Sequence, residues 1–249
     1  MNAQLKSLLD TRNDLWCAKR NTAIQSIATV STNHQSLNQA LLNGGWPLSV
    51  STEILCNQVG IGEVSILLPT LANLSQQEKW IALIAPPHTP YSPALEQAGI
   101  DTSKILMIHP RNEKELLWAT EQALKTGTCS AVISWFGNRE IKHKDLLRLQ
   151  HAAKNSDCLH IQFRATEFSE QPSPAQLRVT LSSSDNDLMV NVVKQRGFNN
   201  GQAVAVPRST LLLTQQPKVI ELRTPKQKSK RGSMPSQQSA DINQHLTWQ

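Results

Sequence analysis

The stretch EILCNQVGIGEVSILL, residues 53–68, decides how the chain is read. An apolar run that reads as a strand, Glu53 to Cys56, enters a short loop holding Gly60 and Gly62, and a helical run begins near Glu63. Strand, glycine turn and helix start form the layout of a phosphate-binding loop. The cation that such a loop needs is missing. In G-x-x-x-x-G-K-[ST] a lysine and a hydroxyl residue follow the last glycine, whereas here Gly62 is followed by Glu63 and Val64. A carboxylate at that place faces phosphates instead of neutralising them. A glycine turn before a helix can still bind an anion through backbone N–H groups. Glu63 in the first turn already complements the helix dipole, so Gly60 and Gly62 read more simply as residues that let the chain turn sharply.

Outward from this loop, short apolar runs alternate with helical periods. Strands are expected at Glu53 to Cys56, Trp80 to Ala85, Ile105 to Ile108, Ala131 to Trp135 and Leu159 to Phe163. Helices are expected at Glu63 to Leu74, Ser92 to Ala98, Glu113 to Lys125 and Lys142 to Asn155. Such alternation predicts an α/β fold with a mainly parallel sheet and helices on both faces, which binds ligands at the carboxyl ends of its strands. The pattern changes at LRVTL, residues 177–181, and LMVNVVKQRG, residues 188–197, which have strand alternation and flank the turn-former SSSDND. They predict a C-terminal antiparallel hairpin closing the sheet, with Ala203 to Val206 as a last strand. Arg164, Arg178, Lys194 and Arg196 then line a mildly basic edge, or are the ordinary alternate charges of a half-solvated hairpin.

The flanks are different in kind. Leu5, Leu8, Leu9, Leu15 and Trp16 fall on one helical face, so an amphipathic helix is expected over residues 3–20 of an N-terminal segment, residues 1–30, packed on the body or offered to a partner. A polar connector from Asn21 to Asn33 leads into a main domain spanning 31–206. From Pro207 to Gln249 seven basic residues stand against two acids, which accounts for +5 of the net charge of +6. The high pI therefore describes a tail, residues 207–249, rather than a basic folded surface. From Pro217 onward its Pro, Ser, Gln and Lys content is that of a disordered segment. Lys226, Lys228, Lys230 and Arg231 can attract DNA phosphates without reading sequence, or simply solubilise the chain. Leu246 and Trp248 loosely resemble the short peptides that dock on the bacterial sliding clamp.

Chemistry is sparse elsewhere. Cys17, Cys56, Cys129 and Cys158 are far apart, with no CxxC pair and no secretory segment, and are expected as reduced thiols in a cytoplasmic protein. No apolar run reaches the roughly 18 residues of a membrane span. His88, His109, His143, His151 and His160 lack metal-ligand spacing, so no metal is expected. Ser134 lies in an apolar strand rather than on a G-x-S-x-G elbow and reads as structural. Trp118 and Trp135, with Leu116, Leu117 and Leu124, read as core. Pro86, Pro87, Pro90 and Pro93 around Tyr91 predict a stiff exposed turn at a strand's carboxyl end, either a partner contact or a structural turn.

Several phrases carry a family resemblance. STNHQSLNQALLNGGWPLSVSTEIL, residues 31–55, and AGIDTSKILMIHP, residues 98–110, resemble the core of RecA-type recombinases. LWCAKR, GGWP, TEIL, GIGE, WIALIAPPHTPYSPAL and LLRLQHAAK together resemble the ImuA family, RecA-like and SulA-like accessory proteins of damage-induced mutagenesis, over about residues 15–206. The resemblance implies a bacterial SOS protein working with the Y-family-like ImuB and a DnaE-type polymerase in translesion synthesis and touching RecA, with the sliding clamp a further partner only through the Leu246 and Trp248 likeness. The other reading it leaves is a SulA-like division inhibitor that binds FtsZ. Against the ATP-hydrolysing pattern, Glu63 and Val64 replace the Lys and hydroxyl residue. Ser134 and Trp135 stand where a Walker B aspartate would hold the metal, and residues 85–88 replace the acidic pair that activates water. No enzyme activity and no cofactor are expected.

Overall fold

A computed structural model describes residues 27–57, 60–195 and 203–208. The expected N-terminal helix, Arg196, the tail cations and the Leu246–Trp248 pair lie outside these residues. In chain order the elements are β1 (Thr29–Val30), α1 (Gln35–Ala40), β2 (Trp46–Pro47), β3 (Ser51–Leu55), α2 (Leu68–Ser75), β4 (Trp80–Ile84), α3 (Ser92–Gln97), β5 (Ile105–Ile108), α4 (Glu113–Lys125), β6 (Cys129–Gly137), α5 (His143–Lys154), β7 (Leu159–Arg164), β8 (Leu177–Ser183), β9 (Asp187–Gln195) and β10 (Ala203–Pro207).

An eight-stranded sheet runs β10-β9-β8-β3-β7-β6-β4-β5, and β1 pairs with β2 in a small antiparallel ribbon. The strands from β8 to β5 are parallel neighbours, while β9 is antiparallel to β8 and β10 to β9. The fold is thus mixed α/β, with a mostly parallel sheet and the expected C-terminal hairpin. The first strand of that hairpin joins the sheet parallel to β3, so its backbone is held on both sides.

Side-chain alternation separates two cores. Ile54, Ile133, Trp135, Ile161, Phe163 and Val179 face α2 on one side, in a cluster with Leu67, Leu71 and Leu74. On the other side Ala82, Ile84, Val132 and Phe136 meet Leu116, Leu124, Leu146 and Leu149 of α4 and α5. The start of α4 agrees with its sequence: Asn112 Oδ1 accepts the Glu115 N–H, and the Glu115 carboxylate reaches back to the Arg111 N–H, a reciprocal cap. In the GGWP turn, a Cβ added to Gly45 would collide with the Val30 carbonyl, so only glycine lets β1 approach β2 this closely.

Two expectations are corrected. The helix expected from Glu63 begins at Leu68 instead, because Gly60 and Gly62 take left-handed backbone (φ +85° and +101°) and Pro69 sets the first helical turn. Residues 62–67 form turns, with Ile66 N–H on Gly62 O and Leu67 N–H on Val64 O. Trp118 is not core. It is 62% exposed on the outer side of α4, whereas Leu116, Leu117, Leu124 and Trp135 are buried as read.

Candidate functional site

A cleft of about 420 Å³ opens at the carboxyl ends of β4 and β6. Its walls are mostly apolar: Val64, Leu68, Leu83, Leu95, Ile105 and the proline turn 86–90. Gly60, Gly62 and Glu63 stand along it. The Glu63 side chain is buried and folds back on its own loop, both carboxylate oxygens accepting the Gly60 N–H, at 3.1 and 3.0 Å. An internal carboxylate therefore takes the donor that a glycine turn would offer to an anion. Burial first, and the Glu63 charge second, push the Cys56 thiol up to about 11.

The proline turn borders the same cleft, and Tyr91, just past it, is 73% exposed ahead of α3. Trp135 lies against the cleft floor, stacked on Phe163 at 5.1 Å between ring centroids. It is buried, and its Nε1 has no hydrogen-bond partner among the described residues. Ser134, next to it, points to the opposite face, fully buried, and donates to Ile161 O at 3.3 Å, which is the structural role expected of it. His88 lines the cleft, whereas His160 is sealed in the core. Among the described residues no group of three His, Cys, Asp or Glu could hold a metal ion.

A second constellation was not legible in the sequence. Glu53, read there only as the opening of an apolar strand, is fully buried and pairs with two arginines. Arg164 Nη1 approaches its Oε1 at 3.2 Å and Arg178 Nε its Oε2 at 2.8 Å, while Ser173 Oγ donates to Oε1 at 2.6 Å. Arg178 also donates to the carbonyls of Phe168, Ser169 and Gln171, and Arg164 lies 4.6 Å over the Phe168 ring. Lys194 Nζ donates to Ser173 O, and its pKa is lowered by burial first and by the Arg178 charge second. The basic edge expected from Arg164 and Arg178 is thus replaced by a buried ionic knot that fastens segment 168–173 to β3. Strand register explains it: Glu53 stands opposite Arg178, and Leu55 opposite Arg164, on one face of the sheet.

Residues 50–160 match the family model described as cell division inhibitor SulA. The chain is similar to the cell division inhibitor SulA of Pectobacterium atrosepticum, 29% identical over 127 residues, which are 51% of this chain and 73% of that protein. It is 34% identical over 89 residues to SulA of Yersinia pestis, covering 36% of this chain and 52% of that protein. Among solved structures, SulA from Pseudomonas aeruginosa is 25% identical and covers 46% of this chain and 97% of that one, with a TM-score of 0.38.

Proposed function

We propose that the protein is a non-catalytic inhibitor of bacterial cell division, of the SulA kind, that acts in the SOS response by binding FtsZ. The observation that carries this is the similarity to proteins named cell division inhibitor SulA, which reaches 73% of such a protein's length. The site supports binding over catalysis. Its cleft is lined by leucine, isoleucine, valine and proline, and the polar group at its loop, Glu63, is turned inward onto Gly60. Tyr91 and the proline turn are the partner contact in this reading, since aromatic residues on rigid turns make strong anchors at interfaces. The test is direct. Purified protein added to FtsZ is expected to lower its GTP-driven assembly in a sedimentation assay, and Tyr91→Ala to weaken that effect several-fold. Assembly unchanged at a several-fold molar excess of the protein overturns the proposal.

A second reading is favoured by one specific observation: the matched stretch ends at residue 160, while ordered elements β8, β9 and β10 continue to residue 207. In that reading the chain is an ImuA-type accessory of mutagenic translesion synthesis, working with ImuB and a DnaE-type polymerase, on a RecA-like core that has lost its ATP switch. RecA and the sliding clamp are further partners there, and the basic tail touches DNA. Deletion of the gene separates the two. Lost damage-induced mutagenesis with intact filamentation selects the accessory role, and the reverse selects the inhibitor.

A further inference from the structure

The cysteines are far apart in sequence, but the fold brings two of them together. Cys129 opens β6, and Cys158 immediately precedes β7, the neighbouring parallel strand. Ala131 stands opposite Leu159, so Ser130 and Cys158 share a level at the amino ends of the two strands. A register shift against β4 makes Ser130 the extra residue, since Trp80 pairs with Cys129 and Ile81 with Ala131. Ser130 turns toward α2, its Oγ donating to Leu74 O at 3.2 Å, and Cys129 is left on the other face, in the core under α4 and α5 that also holds Cys158. With about 4.8 Å between strands and about 3.3 Å per residue along them, the two Cα atoms lie roughly 6 Å apart, inside the range of about 4.4–6.8 Å that a disulfide spans.

Electrostatics puts the two thiols within reach of each other as well. Burial raises both above their ordinary range. At Cys158 the Cys129 charge adds to burial and Lys79 opposes it, and at Cys129 a Thr128 hydrogen bond and Lys79 oppose it. A charge on one thiol is therefore felt at the other, and one ammonium acts on both. Both are free thiols. We propose that Cys129 and Cys158 form a redox site, which a small-molecule disulfide such as oxidised glutathione converts to an intramolecular disulfide. Cys129 is the attacking group, because it is the less enclosed of the two, 4% exposed against 1%, and follows the exposed turn at residues 126–128. Its thiolate attacks one sulfur of the oxidant, releasing one molecule of reduced thiol and leaving a mixed disulfide. Cys158 then attacks Cys129 Sγ and releases the second molecule. The protein loses two electrons and two protons, and the oxidant gains them. Scarcity of thiolate in a buried pair slows this exchange without changing its end point. The bond pins β6 to β7 and closes the α5 crossover into a loop. It lies at the amino ends of the strands, away from the cleft at their carboxyl ends, so the inference is independent of the proposed partner.

The test uses the full-length chain, held in oxidised glutathione under native conditions until its thiol count is constant, then alkylated and digested with trypsin. Peptides 126–139 and 155–164, which carry Cys129 and Cys158, are expected as one linked species, lighter than their sum by two hydrogens and separated by a reductant. Oxidation is also expected to raise the urea midpoint of the parent chain and to leave that of Cys158→Ser where it was. Recovery of both peptides in alkylated form or as separate glutathione adducts overturns the proposal. So do links from either peptide to Cys17 or Cys56 in place of the expected one, or the expected link in a species of twice the chain's mass. An oxidised parent chain that unfolds at the same or lower urea than the reduced one overturns it too, because a pair set at the right distance gains stability from its bond.

Discussion

The sheet face that α4 and α5 cover is built in two ways. Under β4 and β6 it is hydrocarbon: Ala82, Ile84, Val132 and Phe136 against Leu116, Leu124, Leu146 and Leu149. Under β7, β3 and β8 the same face is polar. Ser51 Oγ bonds His160 Nδ1 at 3.0 Å, Gln162 approaches the other nitrogen of that ring, and Glu53 holds Arg164 and Arg178. The apolar half is stabilised by removal of area from water and tolerates modest changes of shape. The polar half depends on complete pairing, since a low dielectric strengthens a matched charge and penalises an unmatched one alike. Parallel strands and short crossovers frame both halves, so the difference lies in side chains alone.

Mutation of one member of each half tests the contrast. Glu53→Ala leaves Arg164 and Arg178 buried without their counter-ion and is expected to cost about 3–5 kcal/mol in urea unfolding. Leu149→Ala in the apolar half is expected to cost about 3 kcal/mol, and an equal or larger loss there would erase the claimed dependence on pairing. An effect of comparable size builds up with acid. Burial holds His160 neutral, with its pKa pushed down to about 3 from an ordinary value of 6.5. The unfolded chain therefore binds a proton that the folded one refuses. This contribution is fully present above pH 6.5 and is lost as pH falls toward 3, by up to about 1.4 kcal/mol per pH unit. In His160→Gln the unfolding midpoint is expected to fall less steeply across that range, and an unchanged slope refutes the assignment. The smallest effect belongs to neither half. Trp118→Ser is expected to change stability by no more than about 0.5 kcal/mol, and a loss of 2 kcal/mol or more would return Trp118 to the core.

Much of the frame was readable in advance. The bounds of α4 and β5 and the hairpin of β8 and β9 follow from periodicity and turn residues, because those signals are local. The start of α2 was misplaced for a local reason too: Pro69 is a stronger start signal than Glu63, and the two glycines extend the turn before it. Trp118 was misread since α4 turns its apolar stripe, not every large residue, toward the sheet. Of the site, Gly60, Gly62 and Glu63 were identified as one loop, but the inward bond from Glu63 to Gly60 depends on a left-handed glycine backbone that the sequence permits without dictating. The proline turn and Tyr91 were placed correctly at a strand's carboxyl end.

The sequence by itself determined the class of fold, the order of strands and helices, and the absence of a lysine beside the glycine loop, since each is written in neighbouring residues. Only the tertiary structure decided that Glu53 meets Arg164 and Arg178. Those residues are 111 and 125 positions away from Glu53, and no local pattern marks a charge whose partner arrives on another strand. The same holds for the cleft, whose wall from the glycine loop to Trp135 exists only once parallel strands bring their carboxyl ends to one side.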